Sequence, residues 1–128
     1  MEIYTGYYAK MKKYKELGLI PVSIAFATPI WYEGEICFEL APPCKLISGY
    51  KNGIISKDDY AKKYKNFLKT VNWAEVIEKL YSISDKYDGK DLVLCCYEKS
   101  SDFCHRHILA EYLTKSGMKV KECDVWKG

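Results

Sequence analysis

The sequence predicts a single α/β domain over residues 1–128, in which a short, mostly parallel, four-stranded sheet lies between layers of helices. Short apolar runs rich in β-forming residues alternate along the chain with segments of helical period. One of these runs, IPVSIAFA, is apolar enough to be covered on both faces, which is typical of a parallel sheet. A chain of 128 residues is also long enough to bury one core.

The first half of the chain predicts two strands and one short helix. Residues 2–8 (EIYTGYY) are rich in β-formers and predict the first strand, and residues 20–27 predict the second. Between them, residues 9–17 predict a short helix that a glycine ends. Residues 30–55 have no clear period, and an irregular connection of that length is typical of a functional loop or lid.

The second half predicts three helices and two further strands. Ser56 and Asn72 each begin a capping pattern, and the second of these helices is expected to end near Lys86. The run DLVLCCY predicts the third strand, residues 102–116 the last helix, and KVKECDV the fourth strand. Right-handed crossovers suggest the strand order 2-1-3-4 of a Rossmann- or flavodoxin-like sheet, with ligands bound where strands one and three end.

Composition narrows the class of protein. The net charge of +3 permits an anionic ligand but lacks the strongly basic character of a dedicated duplex-DNA binder. Because the start of the chain does not resemble a signal peptide and no apolar run could span a bilayer, we expect a cytoplasmic protein without membrane partners. The six cysteines are therefore expected to be reduced. Cations comprise 19 lysines and one arginine, which fits a low-GC bacterium or its phage.

The residues between the third strand and the last helix predict an anion site. Glu98 follows the strand, while Cys104, His105 and Arg106 fall in the first turn of the helix. Backbone N–H groups, the helix dipole and a guanidinium there would favour a phosphate. The same field would lower the pKa of Cys104, which is therefore a candidate catalytic nucleophile. Glu98, at the end of the strand, is a candidate general base.

Each of these residues also has a purely structural interpretation. Cys96 is expected to be a packed core thiol, Cys104 can equally pack a helix, and Glu98 with Arg106 can form a structural ion pair. Because no C-x-x-C pair is present, no metal and no cofactor are predicted. Four aromatic residues at predicted strand ends or in the irregular segment either stack on a base or edge the core: Tyr7, Tyr8, Trp31 and Tyr32.

The spacing Cys96-Tyr97-Glu98, followed by Cys104-His105-Arg106, resembles the hallmark of the domain of unknown function 488 family. The runs IYTGYYAK and PVSIAFATPIW also resemble the first two strands of that family. The resemblance implies a compact α/β fold and leaves the biochemistry open. In many members an arginine stands where this chain has Phe26, and a G-H-S follows the first strand where this chain has Gly6-Tyr7-Tyr8. These departures favour a binder over an enzyme.

Three functions follow as hypotheses. The first is binding of a small, anionic, nucleotide-like ligand by Arg106, His105 and Glu98, with Tyr7, Tyr8 or Trp31 stacking on a base. Sequestration of a nucleotide signal, in a phage or host-defence context, would be one use. The second is an enzyme acting on nucleotides or nucleic acid through Cys104 and Glu98, with Arg106 stabilising negative charge. The third is an interaction protein without a small-molecule site. The ligand and the oligomeric state are left open.

Overall fold

A computed structural model of the chain describes residues 1–97 and 104–123, and within them five parallel strands form one sheet. The strands are β1 (Ile3–Tyr7), β2 (Ile20–Ser23), β3 (Glu35–Ile36), β4 (Leu92–Cys96) and β5 (Val120–Glu122). The predicted α/β class with a parallel sheet is confirmed. The sheet has five strands instead of the predicted four, because the two-residue β3 forms within the segment that the sequence marks as irregular.

Five α-helices accompany the sheet in the described residues. They are α1 (Met11–Glu16), α2 (Cys44–Lys51), α3 (Lys57–Leu68), α4 (Trp73–Lys86) and α5 (His105–Lys115). Both predicted caps are present: Ser56 Oγ accepts the N–H of Asp59 at 3.0 Å, and Asn72 Oδ1 accepts that of Glu75 at 3.3 Å. The interpretation of residues 30–55 as wholly irregular is wrong, since α2 begins directly after Pro43, where a proline suits a helix start.

The predicted strand order is wrong at two neighbours, because β1 and β4 have exchanged places and β5 pairs with β1 instead of β4. The sheet runs β3-β2-β4-β1-β5, so β2 lies beside β4 and not beside β1. Strand β4 is the most apolar and all five of its residues are buried, so it occupies the centre, where both faces are covered. The predicted neighbours β1 and β4 do pair, from Ile3 opposite Leu92 to Tyr7 opposite Cys96. Their carboxyl ends therefore meet at one edge, as expected.

The alternation along β4 divides the core in two. Leu92 and Leu94 pack with helices α3, α4 and α5, in the larger apolar cluster. Val93 and Cys95 point to the opposite face, toward Tyr8 and the residues of α1. We call the first the helical face and the second the α1 face. Because side chains alternate along a strand, Cys96 belongs to the helical face.

A glycine in β1 allows α1 to approach the sheet closely. A Cβ atom added at Gly6 would lie 2.7 Å from Cζ of Tyr14, a side chain that is fully buried on the α1 face. The phenol oxygen of Tyr14 accepts a hydrogen bond from the backbone N–H of Tyr7 at 3.2 Å. Only glycine leaves room for this contact.

Among the residues that the structure describes, no helix has both the length and the apolar character that crossing a membrane requires.

Candidate functional site

A pocket of about 460 Å³ opens at the carboxyl ends of β2 and β4. It lies on the helical face, and most of its lining is apolar or aromatic. The lining residues come from the segment after β2 (Ala25, Phe26, Ala27), from α2 (Ile47, Tyr50, Lys51), from α3 (Tyr60), and from the junction of β4 and α5 (Cys96, Tyr97, Cys104, His105). The pocket is thus at the edge of the sheet where parallel α/β proteins bind ligands.

Two cysteines meet at the inner end of this pocket. Cys96 ends β4 and Cys104 is the N-cap of α5, and their sulfur atoms are joined as a disulfide. The expectation of six reduced cysteines therefore does not hold for this pair. Both residues are almost completely buried, at 0% and 3% exposure. The expectation that Cys96 is a core thiol captures its burial but misses that its sulfur borders the pocket.

His105 stands beside the two sulfurs. Its Nε2 atom lies 2.8 Å from the backbone carbonyl oxygen of Ile24, and its Nδ1 atom lies 3.7 Å from Sγ of Cys104. Burial lowers the pKa of His105 to about 4, so the imidazole is neutral at neutral pH. The ring packs edge-on against Tyr64, with centroids 5.6 Å apart. His105 therefore lines the pocket as a neutral imidazole and not as a cation.

Arg106 lies beneath the site and does not line the pocket. Its guanidinium donates from Nε and Nη2 to the two carboxylate oxygens of Glu122, at 3.1 and 2.9 Å, and from Nη1 to Sγ of Cys96 at 2.9 Å. The side chain is completely buried and its charge lies 5.6 Å from the ring centre of Tyr7. The single arginine therefore donates hydrogen bonds to a cysteine sulfur of the site and to a carboxylate of β5.

The strand register explains how these partners converge. On β1, Thr5 pairs with Glu122 of β5, and Tyr7 pairs with Cys96 of β4. Thr5 Oγ1 donates to the carboxylate of Glu122 at 2.7 Å, which fixes the acid from its other side. Three neighbouring strands thus present a carboxylate, an aromatic ring and a disulfide sulfur to one arginine from α5.

The other predicted aromatic residues lie outside the pocket lining. Tyr8 is buried on the α1 face, where its hydroxyl shares a hydrogen bond of 2.6 Å with Ser23 Oγ and its ring meets Trp31 edge-on. Tyr97 contacts the ring of Tyr8 at 4.9 Å and also lines the pocket. Glu98, the predicted base, lies outside the described residues.

Several residues of the pocket wall do not follow from the sequence predictions. Tyr50 and Lys51 belong to α2, a helix within the segment that the sequence predicts to be irregular. The proline pair before Cys44, followed by Leu46, Ile47 and Tyr50 at helical spacing, is the signal that could have found it. The sequence marks Phe26 only as a departure from relatives, yet this side chain lines the pocket and is 45% exposed.

The parallel sheet and the pocket lined by two cysteine sulfurs at its carboxyl edge define a three-layer α/β protein with a candidate small-molecule site. A family model described as the active DUF488-N3 subclade, DUF488-N3a, matches residues 31–117. The match covers more than half of the chain, and the protein belongs to the DUF488 family. The matched region includes Cys96, Cys104, His105 and Arg106. No curated protein and no solved structure matches the chain closely enough to compare.

Proposed function

We propose that the protein binds a small, anionic, nucleotide-like ligand in the pocket at the carboxyl edge of its sheet. The observation that carries this proposal is the pocket itself, which has about 460 Å³ of space and a mostly apolar wall. Pockets of roughly 300–1,000 Å³ with a few polar groups are typical of small-molecule sites. Its position beside the start of α5 adds the positive end of a helix dipole.

The wall supports a ligand with a planar apolar part. Phe26, Tyr50 and Tyr97 offer partly exposed rings at the pocket, at 45%, 36% and 51% exposure. Aromatic rings of this kind stack on any of the nucleobases, because every base has a π-face. We therefore assign base stacking to these three residues in place of Tyr7, Tyr8 and Trp31.

The charge of the ligand has a different partner from the one that the sequence suggests. Arg106 is paired with Glu122 below the pocket, whereas Lys51 lines it and is exposed. A lysine ammonium binds phosphate as a point charge, without the bidentate geometry of arginine. In this proposal Lys51 contacts the anionic group, and Arg106 orders the inner end of the pocket.

Calorimetry against mononucleotides, dinucleotides, cyclic nucleotides, nucleosides and inorganic phosphate tests the proposal. At least one nucleotide should bind, and Ala27→Trp, which fills the mouth of the pocket from an exposed position, should abolish the signal. Ala74→Trp, on an exposed part of α4 away from the pocket lining, is the matched control and should bind normally. Folded protein that binds none of the panel would refute the proposal.

A second candidate, an enzyme that uses a thiol on the same class of ligand, is favoured by the hydrogen bond from Arg106 Nη1 to Cys96 Sγ. A guanidinium beside a sulfur stabilises the thiolate, and Cys104 at the N-cap of α5 receives the helix dipole as well. The description of the matched subclade as active also supports this candidate.

Alkylation of the reduced, chelator-treated protein at a series of pH values separates the two candidates. An enzyme of this kind needs a thiol at Cys96 or Cys104 that reacts with a midpoint well below the ordinary value of about 8.5. Peptide mass spectrometry identifies the alkylated cysteine. If both thiols react only above that value, the nucleophile role is excluded and ligand binding remains.

A further inference from the structure

Three donor atoms that metals bind lie together at the inner end of the pocket. They are the sulfurs of Cys96 and Cys104 and a ring nitrogen of His105, and all lie within 4.8 Å of one another. All three residues are buried, at 0%, 3% and 8% exposure. Spacing alone does not reveal this group, because seven residues separate the two cysteines. The fold assembles the three donors.

The hydrogen bond of His105 determines which of its nitrogens is available. Nε2 lies 2.8 Å from the carbonyl oxygen of Ile24, and a carbonyl can only accept a hydrogen bond. Nε2 therefore carries the proton of the neutral ring, and Nδ1, 3.7 Å from Cys104 Sγ, keeps its lone pair. Metal-bound histidines commonly show this pattern, in which a backbone carbonyl fixes the nitrogen that does not bind.

The distance between Cys104 Sγ and His105 Nδ1 fits two ligands of a tetrahedral zinc ion. Bonds of about 2.3 Å to sulfur and about 2.0–2.1 Å to nitrogen place two such ligands about 3.6 Å from each other, close to the observed 3.7 Å. The Cα atoms of Cys96 and Cys104 are 7.5 Å apart, beyond the range of about 4.4–6.8 Å across disulfides. Once the disulfide is reduced, this backbone separation leaves room for an ion between the two sulfurs.

We propose that, in the reduced protein, Cys96, Cys104 and His105 bind one zinc ion whose fourth position is open to the pocket. Two thiolates balance the charge of the ion, and Arg106 donates a hydrogen bond to the sulfur of Cys96. Three protein ligands with an open position characterise catalytic zinc sites, whereas structural sites have four. The site goes beyond ligand binding and is testable in protein without any nucleotide. It departs from the sequence-based expectation of no metal.

Formation of the site requires reduction of the Cys96–Cys104 disulfide. Two electrons and two protons from a thiol reductant open the S–S bond, and the reductant itself becomes a disulfide. Binding of zinc then releases the two thiol protons to solvent, leaving two metal–thiolate bonds. The disulfide and the metal site are therefore mutually exclusive states of the same pair.

Titration with Co²⁺, which substitutes for zinc and absorbs visible light, tests the proposal in protein that has been reduced, stripped of metal and kept without oxygen. We expect saturation at about one ion per chain, a thiolate-to-cobalt charge-transfer band, tetrahedral d–d bands, and displacement by zinc. Cys96→Ser, Cys104→Ser and His105→Gln should each weaken binding more than about tenfold. Cys44→Ser removes an exposed cysteine outside the group and should bind as the wild type does.

X-ray absorption of the unmutated zinc protein supplies a readout that does not depend on the folding of any variant. The expected shell holds two sulfurs at about 2.3 Å and nitrogen or oxygen at about 2.0 Å. A shell without sulfur, or cobalt binding that is unchanged in both Cys96→Ser and Cys104→Ser, would overturn the proposal. Zinc binding without any nucleotide binding would uphold this site while refuting the proposed ligand, so the two failures are distinguishable.

Discussion

Cys95 and Cys96 are adjacent in the chain, equally buried, and different in almost every other respect. Cys95 lies on the α1 face, where its thiol donates to the carbonyl of Val93 at 3.5 Å and burial raises its pKa. Cys96 lies on the helical face, where its sulfur accepts from Arg106 and is bonded to Cys104. Burial alone therefore does not separate a core cysteine from a site cysteine; the groups that surround the sulfur do.

The same contrast holds for the two faces of the sheet around these cysteines. The α1 face is filled by buried aromatic and apolar side chains, including Tyr8 and Tyr14. The helical face has an equally apolar core, but at the carboxyl edge it carries Arg106, Glu122 and the pocket. The α1 face is therefore occupied by packed side chains, whereas the helical face also contains polar contacts and a pocket.

Removal of the arginine should have the largest effect and would test how far the helical face depends on its polar contacts. Arg106→Met leaves Glu122 without its guanidinium, and breaking a buried pair costs about 3–5 kcal/mol. Because the carboxylate side chain is 19% exposed, we expect a loss of about 3 kcal/mol in the free energy of unfolding, measured in urea.

Lys115→Met on the same helix is the matched control for Arg106→Met. It breaks an exposed pair with Glu111 at 2.9 Å, and such pairs contribute about 0–1 kcal/mol. Equal losses in the two variants would contradict the role assigned to Arg106.

A methyl group at Gly6 would challenge the packing of the α1 face. Gly6→Ala puts a Cβ against the buried ring of Tyr14, and overpacking of this kind costs about 1–3 kcal/mol. Gly49→Ala in α2 is the control: its Cβ would meet Ile55 only at 3.4 Å, and alanine favours a helix by about 0.5–1 kcal/mol. Thermal unfolding should show a lowered midpoint for the first and an unchanged or raised one for the second.

High pH should weaken the protein through groups that the fold keeps protonated. Burial raises the pKa of Tyr14 and Tyr32, and it raises the pKa of Cys37 to about 11. Above about pH 9 the unfolded chain loses these protons while the folded chain keeps them, so stability falls as pH rises, by at most about 1.4 kcal/mol per pH unit for each group. Urea unfolding at pH 8 and pH 10.5 measures the loss. An equally steep loss in Tyr14→Phe would contradict the assignment.

Loss of one pocket charge should have the smallest effect and would refine the proposed ligand contact. Lys51→Gln should weaken binding of a nucleotide about fivefold to tenfold, as expected for one partly screened phosphate contact, and leave nucleoside binding unchanged. Lys62→Gln, at an exposed position of α3 outside the pocket lining, should change neither. An equal loss for nucleoside and nucleotide would show that Lys51 shapes the pocket instead of binding charge.

Local signals in the sequence predict much of the fold. Ser56 and Asn72 mark two helix starts because their side chains bond backbone groups three residues away. The strand order does not follow from local signals, because it depends on which strand is buried at the centre of the sheet. The sequence does not predict the short β3 and the helix α2, because their patterns are only two and eight residues long.

The candidate site shows the same limit. The start of α5 predicts that Cys104 and His105 lie together, since both belong to one helix end. The partners of Arg106 do not follow from spacing, because Glu122 is sixteen residues away and reaches it through the register of β1 with β5. The alternation of side chains along β4 places Cys96 on the same face as Leu92 and Leu94. The sequence does not show that α5 begins on that face, so it does not place Cys96 beside Cys104.

The burial of Arg106 has a consequence for the outer surface of the protein. Since it is the only arginine, the other 19 residues among the lysines and arginines all carry a primary amine. The surface therefore has no planar guanidinium with which to grip a phosphate or stack on an exposed base. Mild acetylation or reductive methylation modifies the lysine amines of the surface and leaves the one buried guanidinium unmodified. Electrostatic attraction at the surface and order inside the site are thus carried by two different functional groups that selective chemistry can separate.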